Sequence, residues 1–116
     1  MSITSDLLRG HTETMILAQL AQRDSYGYEI NKTVQARTQN RYELKEATLY
    51  SAFRRLENGG MISSYWGEEE RGARRRYYTI TAQGRAQYER SLAEWQEGKE
   101  LIDLLLTVQS AQSAKR

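Results

Sequence analysis

The sequence predicts a mainly α fold carrying one small β-hairpin (α+β), on three observations. Apolar residues recur at helical spacing through the first half, two β-preferring segments then flank an arginine-rich loop, and a long helical stretch follows. The first helix is expected from about Asp6 to Gln22, where Leu7, Leu8, Met15, Ile16, Leu17 and Leu20 form an apolar stripe. Gly10 weakens its start by about 1 kcal/mol relative to alanine, so that end is expected to fray. Ser25 is a good N-cap for a second helix, Tyr26 to about Thr38, with Tyr26, Ile30 and Val34 facing inward. Thr38 to Lys45 reads as a polar connection with a short extended piece at Tyr42, Glu43 and Leu44. A third helix, about Glu46 to Asn58, stops at Gly59 and Gly60, where glycine takes a left-handed C-cap at no steric cost. Met61 to Trp66 and Arg75 to Thr81 read as strands joined by the polar loop Gly67 to Ala73. Thr81 can cap a final helix from about Ala82 to Gln109, ahead of a small polar tail over 110–116. This order of elements is the winged helix-turn-helix layout.

Composition narrows the function classes. A hydrophobic share of 39% and a charged share of 28% place the chain with globular proteins, not disordered ones. One domain of this size has a modest core, to which a partner subunit adds useful burial. There is no cysteine, hence neither disulfide framework nor thiolate site. No apolar run approaches the roughly 20 residues that span a bilayer, and the first residues lack the layout of a signal peptide. A cytoplasmic protein without membrane partners is expected. The net charge is only +2, yet Arg71, Arg74, Arg75 and Arg76 crowd into six positions, and Arg54 and Arg55 interrupt an apolar-periodic segment. Such local clusters point to an anionic partner, or to plain solvated surface charge.

Placed on a helix at 100° per residue, Leu49, Ala52, Phe53 and Leu56 of the third helix gather on a core face. Ala47, Thr48, Ser51, Arg54, Arg55 and Asn58 gather on the other, with Tyr50 at the border. Small hydroxyls allow close approach to a major groove, and arginine can bridge guanine O6 and N7 or clamp a phosphate. In the hairpin loop, Gly72 and Ala73 leave room for a duplex while Arg71, Arg74, Arg75 and Arg76 supply charge, chiefly for sequence-independent, salt-sensitive affinity.

Three stretches resemble the PadR family of transcriptional regulators. Glu46 to Gly60 (EATLYSAFRRLENGG) looks like the family's recognition-helix motif, and Tyr26 to Ile30 (YGYEI) like its second-helix signature. Gly72 to Thr81 (GARRRYYTIT), with Gly84, looks like its wing and the entry to its last helix. The single long final helix and Ile62 to Gly67 (ISSYWG) look most like the short, multidrug-responsive LmrR-like group. The resemblance implies a homodimeric repressor on an inverted-repeat operator in double-stranded DNA. It implies Thr48, Tyr50 and Ser51 near DNA, supported by Arg54, Arg55 and the wing arginines. Lys45 departs from the pattern, standing where a good helix cap is usual, although a lysine there can meet a phosphate. The expected organisation is a DNA-binding domain over 1–81, a dimerisation helix over 82–109 and a flexible tail over 110–116.

In the last helix, Tyr88, Leu92, Trp95, Lys99, Ile102 and Leu106 follow a heptad-like 4-3-4-3-4 spacing. Leu101, Leu105 and Val108 make a second apolar stripe, which suggests that the helix packs on a partner copy as well as on its own domain. In the LmrR-like group a tryptophan at the position of Trp95 lines a dimer-interface cavity where flat aromatic compounds stack. Here Leu92, Trp95, Gln96, Lys99 and Asp103 fall along one side, an indole with a carboxylate two turns away, suited to a planar cation. Lys99 works against cations, and Trp95 packing across the seam is the alternative.

Catalysis is not expected. His11 is the only histidine and has no visible partner, Glu68, Glu69 and Glu70 make a poor general-acid pair, and neither a phosphate loop nor zinc spacing occurs. No cofactor is implied. The remaining rival is a winged helix that docks proteins instead of DNA, expected to carry an apolar or acidic reading face.

Overall fold

The computed structural model describes residues 3–68 and 74–107. Helices α1 (Ile3–Arg9), α2 (Thr12–Leu20), α3 (Gly27–Arg37) and α4 (Glu46–Asn58) precede a hairpin of β1 (Ile62–Trp66) and β2 (Arg76–Ile80), and α5 (Ala82–Leu106) follows. Arg71, Val108, the predicted end of the last helix at Gln109 and the tail over 110–116 lie outside the described residues.

The expected first helix is two helices. The chain leaves helical geometry at His11 (φ −110°, ψ 17°), and the hydroxyl of the buried Thr12 donates back to the Arg9 carbonyl oxygen at 2.8 Å. Apolar periodicity runs on across this break, so periodicity alone could not reveal it; Gly10 marks the break and not merely a frayed end.

Ser25 is not the N-cap either. Its backbone pairs with Tyr78 (N to O 3.2 Å and 2.8 Å in the two directions), and its hydroxyl donates to the Glu29 carboxylate. The chain therefore enters α3 one residue later, from Tyr26, which has extended geometry and makes no side-chain cap. This bridge ties the start of α3 to the second hairpin strand. The extended piece before α4 is held by Asn31, whose amide donates to the Leu44 carbonyl at 2.9 Å and accepts from the Leu44 N–H at 2.8 Å. Gln39 and Asn40 turn the chain there with φ of 56° and 64°.

The core joins Ile16, Leu17 and Leu20 of α2, Ile30 and Val34 of α3, Leu44, and Leu49, Ala52, Phe53 and Leu56 of α4, closed by Ile62 and Tyr78 from the hairpin. Phe53 and Tyr78 stack with centroids 3.9 Å apart. The strands pair antiparallel with Ile62 opposite Ile80 and Trp66 opposite Arg76. Gly60, at φ 79°, supplies the left-handed turn between α4 and β1 that the sequence predicted.

Helix α5 starts where predicted. The Thr81 hydroxyl accepts from the Gly84 N–H at 3.0 Å and lies 2.7 Å from the Gly60 carbonyl oxygen. Its first turns pack on α2 and β2, with Arg85 donating to the Ala21 carbonyl at 3.1 Å. The far end stands clear of the domain: Leu105 and Leu106 are 72% and 73% exposed, giving a molecule 68 × 30 × 21 Å.

Candidate nucleic-acid interface

Helix α4 buries the four predicted core residues and turns Ala47, Arg54 and Asn58 outward. At 100° per residue, Thr48 and Arg55 lie on one flank of that outward face, and Tyr50 and Glu57 on the other. The contacts agree with this division. Arg55 reaches α2, donating from Nε to Glu13 at 2.6 Å and from Nη1 to the Ser51 hydroxyl at 2.9 Å. Glu57 faces the hairpin, accepting from Ser64 at 2.7 Å and lying 3.9 Å from Arg76. Arg55 is thus engaged within the chain; an exposed pair of this kind is worth about 0–1 kcal/mol, little enough for a phosphate to displace Glu13.

Tyr50 is 42% exposed, with its ring edge against Phe53 (centroids 5.4 Å apart). Gly27 makes that placement possible, because a β-carbon there would lie 2.6 Å from the Tyr50 hydroxyl oxygen. The motif containing Gly27 was visible in the sequence, but its role under Tyr50 is a tertiary contact.

The hairpin brings its arginines to the Tyr50 flank. Arg75 lies over the Tyr26 ring at 4.7 Å, and Arg74 and Arg76 lie over Trp66 at 5.1 and 5.5 Å. Tyr77 bridges this layer, edge-on to Tyr26 and stacked on Tyr65, whose hydroxyl donates to Asp24 at 2.6 Å. That hydrogen bond raises Tyr65 above the ordinary tyrosine pKa. Between hairpin, α3 and α4 runs a groove of about 330 Å³, lined by Tyr26, Gly27, Tyr28, Tyr50 and the three arginines. The stacking holds the guanidinium groups at the surface without burying their charge.

The Thr48 flank carries a second groove, of about 460 Å³, which the sequence did not reveal. Arg9, Gln35, Asn40, Arg41, Tyr42, Glu43, Lys45 and Thr48 line it. Lys45 and Thr48 had been singled out in the sequence; Arg9 and Arg41 come from elsewhere in the chain.

On the single chain, the residues proposed for a ligand fall along two depressions. Leu92 and Trp95 line an apolar groove of about 300 Å³ with Leu7, Leu8, His11, Thr14, Met15, Ala18 and Tyr88, where Trp95 meets the His11 ring edge-on at 5.1 Å. Gln96, Lys99 and Asp103 line a separate depression with Glu100, Leu104 and Thr107. Lys99, one turn beyond Trp95, lies 3.5 Å from Asp103, two turns beyond it, so the carboxylate is paired with the lysine. Ile102 and Leu106 remain exposed along the expected seam.

A helix with a polar outward face, flanked by a basic hairpin and set on a three-helix core, defines a winged helix-turn-helix protein. Comparison with known proteins carries this further. Residues 16–90 match the transcriptional regulator PadR-like family. A transcriptional regulator from Clostridium thermocellum is 48% identical, superposes with a TM-score of 0.80, and is covered over 96% of its length by 88% of this chain. A PadR family transcription regulator from Clostridium difficile is 35% identical with a TM-score of 0.72, over 83% of this chain and 98% of that one. An uncharacterised protein of Lysinibacillus sphaericus is 43% identical over 90% of this chain and 95% of its own. The chain belongs to the PadR-like family, whose members are DNA-binding transcription regulators and not enzymes. Among the described residues, no helix is long and apolar enough to cross a membrane.

Proposed function

We propose that this protein is a cytoplasmic homodimeric repressor that reads an inverted-repeat operator with α4 and the hairpin, and that α5 forms its dimer seam. The observation that carries the DNA reading is the outward face of α4, with Arg54 exposed at its centre, Thr48 and Ser51 to one side, and Tyr50 leading to the wing arginines. Arg74, Arg75 and Arg76 supply phosphate contacts that set register, while Arg54 and the small hydroxyls supply base contacts. Dimerisation is supported by the uncovered apolar end of α5, where Leu101, Ile102, Leu104, Leu105 and Leu106 are each half-exposed or more. Such a surface costs free energy in water and is removed by a second copy.

The groove beside Trp95 is the seat for small planar aromatic compounds, in keeping with the multidrug-responsive LmrR-like group. Its lining is apolar and its indole 41% exposed, so a flat ring can stack there and alter the angle between the two reading helices. Footprinting on the region upstream of the protein's own coding sequence tests the dimeric reading. Two protected half-sites about 34 Å apart, one helical turn, are expected. A single protected patch would leave the dimer without a role in recognition, and no protection would favour a protein-docking winged helix.

A further inference from the structure

We propose that the groove on the Thr48 flank of α4 is a clamp for a DNA phosphate, opposite the wing; this rests on the DNA-binding reading above. A helix lying in the major groove has a sugar-phosphate wall on each side, so each flank of the reading face meets its own backbone. The wing arginines serve the Tyr50 flank. On the other flank the same need is met by Arg9 from the end of α1, Arg41 from the left-handed turn, and Lys45 just before α4. Thr48 belongs both to this groove and to the reading face, which makes the two surfaces continuous.

The charges within the groove are arranged for an anion. Its one acidic lining residue, Glu43, accepts from Gln35 at 2.6 Å and is held toward α3. Arg41 donates from Nε to the Thr38 carbonyl at 3.1 Å, which fixes the guanidinium at the turn while leaving it exposed. Arg9 pairs with the exposed Asp6, an arrangement a phosphodiester can share. Burial pushes the Tyr42 hydroxyl above the ordinary tyrosine pKa, against the pull of Arg9, so it stays a neutral donor beside the cations. Contacts of this kind position the protein without reading bases, and each releases condensed counterions.

Arg41→Ala and Lys45→Ala test the clamp, with Arg90→Ala on the exposed side of α5 as the control for net charge. Each protein is titrated with an upstream duplex and with a random duplex across a range of salt, after its melting temperature is matched to wild type. For both groove variants the slope of log K against log[salt] should become shallower by about 1.8, about 0.9 for each of the two subunits, which is about a sixtyfold loss at 0.1 M salt, equal on the two duplexes. Arg90→Ala should leave the slope unchanged. Unchanged slopes in the groove variants, while wild type binds normally, would overturn the clamp and leave the DNA reading intact. So would a loss confined to the upstream duplex, which would mark these residues as base readers. A wild-type protein that binds neither duplex would overturn the DNA reading, and the clamp with it.

Discussion

Replacing Gly84 with alanine tests how the long helix is seated on the winged domain. A β-carbon at Gly84 would lie 2.1 Å from the Met61 carbonyl oxygen and 2.8 Å from an Ile80 side-chain carbon. The first obstacle is backbone, so α5 and the Gly60–Met61 segment must separate by more than 1 Å, on the order of the shortfall from ordinary van der Waals contact. That movement strains the Thr81 network, in which the Thr81 N–H donates to the Met61 carbonyl at 3.0 Å while the hydroxyl caps Gly84. Overpacking costs about 1–3 kcal/mol and a weakened cap about 1 kcal/mol, against roughly 1 kcal/mol gained by exchanging glycine for alanine in a helix. The net is about 2 kcal/mol, a fall in melting temperature of about 8–10 °C for a domain of this size. Thermal unfolding followed by circular dichroism at fixed protein concentration measures it. A fall of less than about 2 °C would show that the α5 junction yields cheaply and that the close approach at Gly84 is not what fixes the helix.

Four further outcomes are expected. Gly27→Ala should displace the Tyr50 hydroxyl, the far end of a movable side chain, and so weaken specific DNA binding several-fold while costing little stability; paired binding and melting curves separate the two effects. Leu105→Glu should shift sedimentation at micromolar concentration toward monomer, because it places a charge on a leucine that is 72% exposed in one chain and buried in the proposed dimer. Trp95→Ala should weaken binding of planar aromatic dyes by about tenfold through lost stacking, read by fluorescence titration; unchanged affinity would remove Trp95 from the ligand site. Burial holds the Tyr78 hydroxyl above its ordinary value of 10, so the folded state keeps a proton that the unfolded chain releases first. Stability from this site is therefore full below pH 10 and declines above it, and Tyr78→Phe should flatten the alkaline limb of a urea-midpoint-against-pH curve.

The sequence was most legible where one local pattern sufficed. Helix α4 has its predicted bounds because its core face, its polar face and the Gly59–Gly60 stop all belong to one short segment. The Thr81 cap was legible for the same reason, as its partner is three residues away. What escaped depends on distant partners. The pairing of Ser25 with Tyr78 removed a capping role that the local sequence suggested. The hydrogen bond from Arg55 to Glu13 spans 42 positions, so an arginine placed on the reading face by periodicity proved to be tied to α2. The Thr48-flank groove draws on α1, the turn and the approach to α4, and no single motif contains it. The pairing of Asp103 with Lys99 was within reach of local pattern, as an i,i+4 pair on one side of α5.

Competition between a duplex from the region upstream of the protein's own coding sequence and a random duplex of equal length, repeated from low to high salt, tests the central claim most directly. The account predicts that the upstream duplex wins at every salt concentration, that affinity for both falls steeply as salt rises, and that Arg54→Ala narrows the gap between them. Binding that is absent, or equal for the two duplexes and insensitive to salt, would contradict an arginine-bearing reading helix set between two basic grooves.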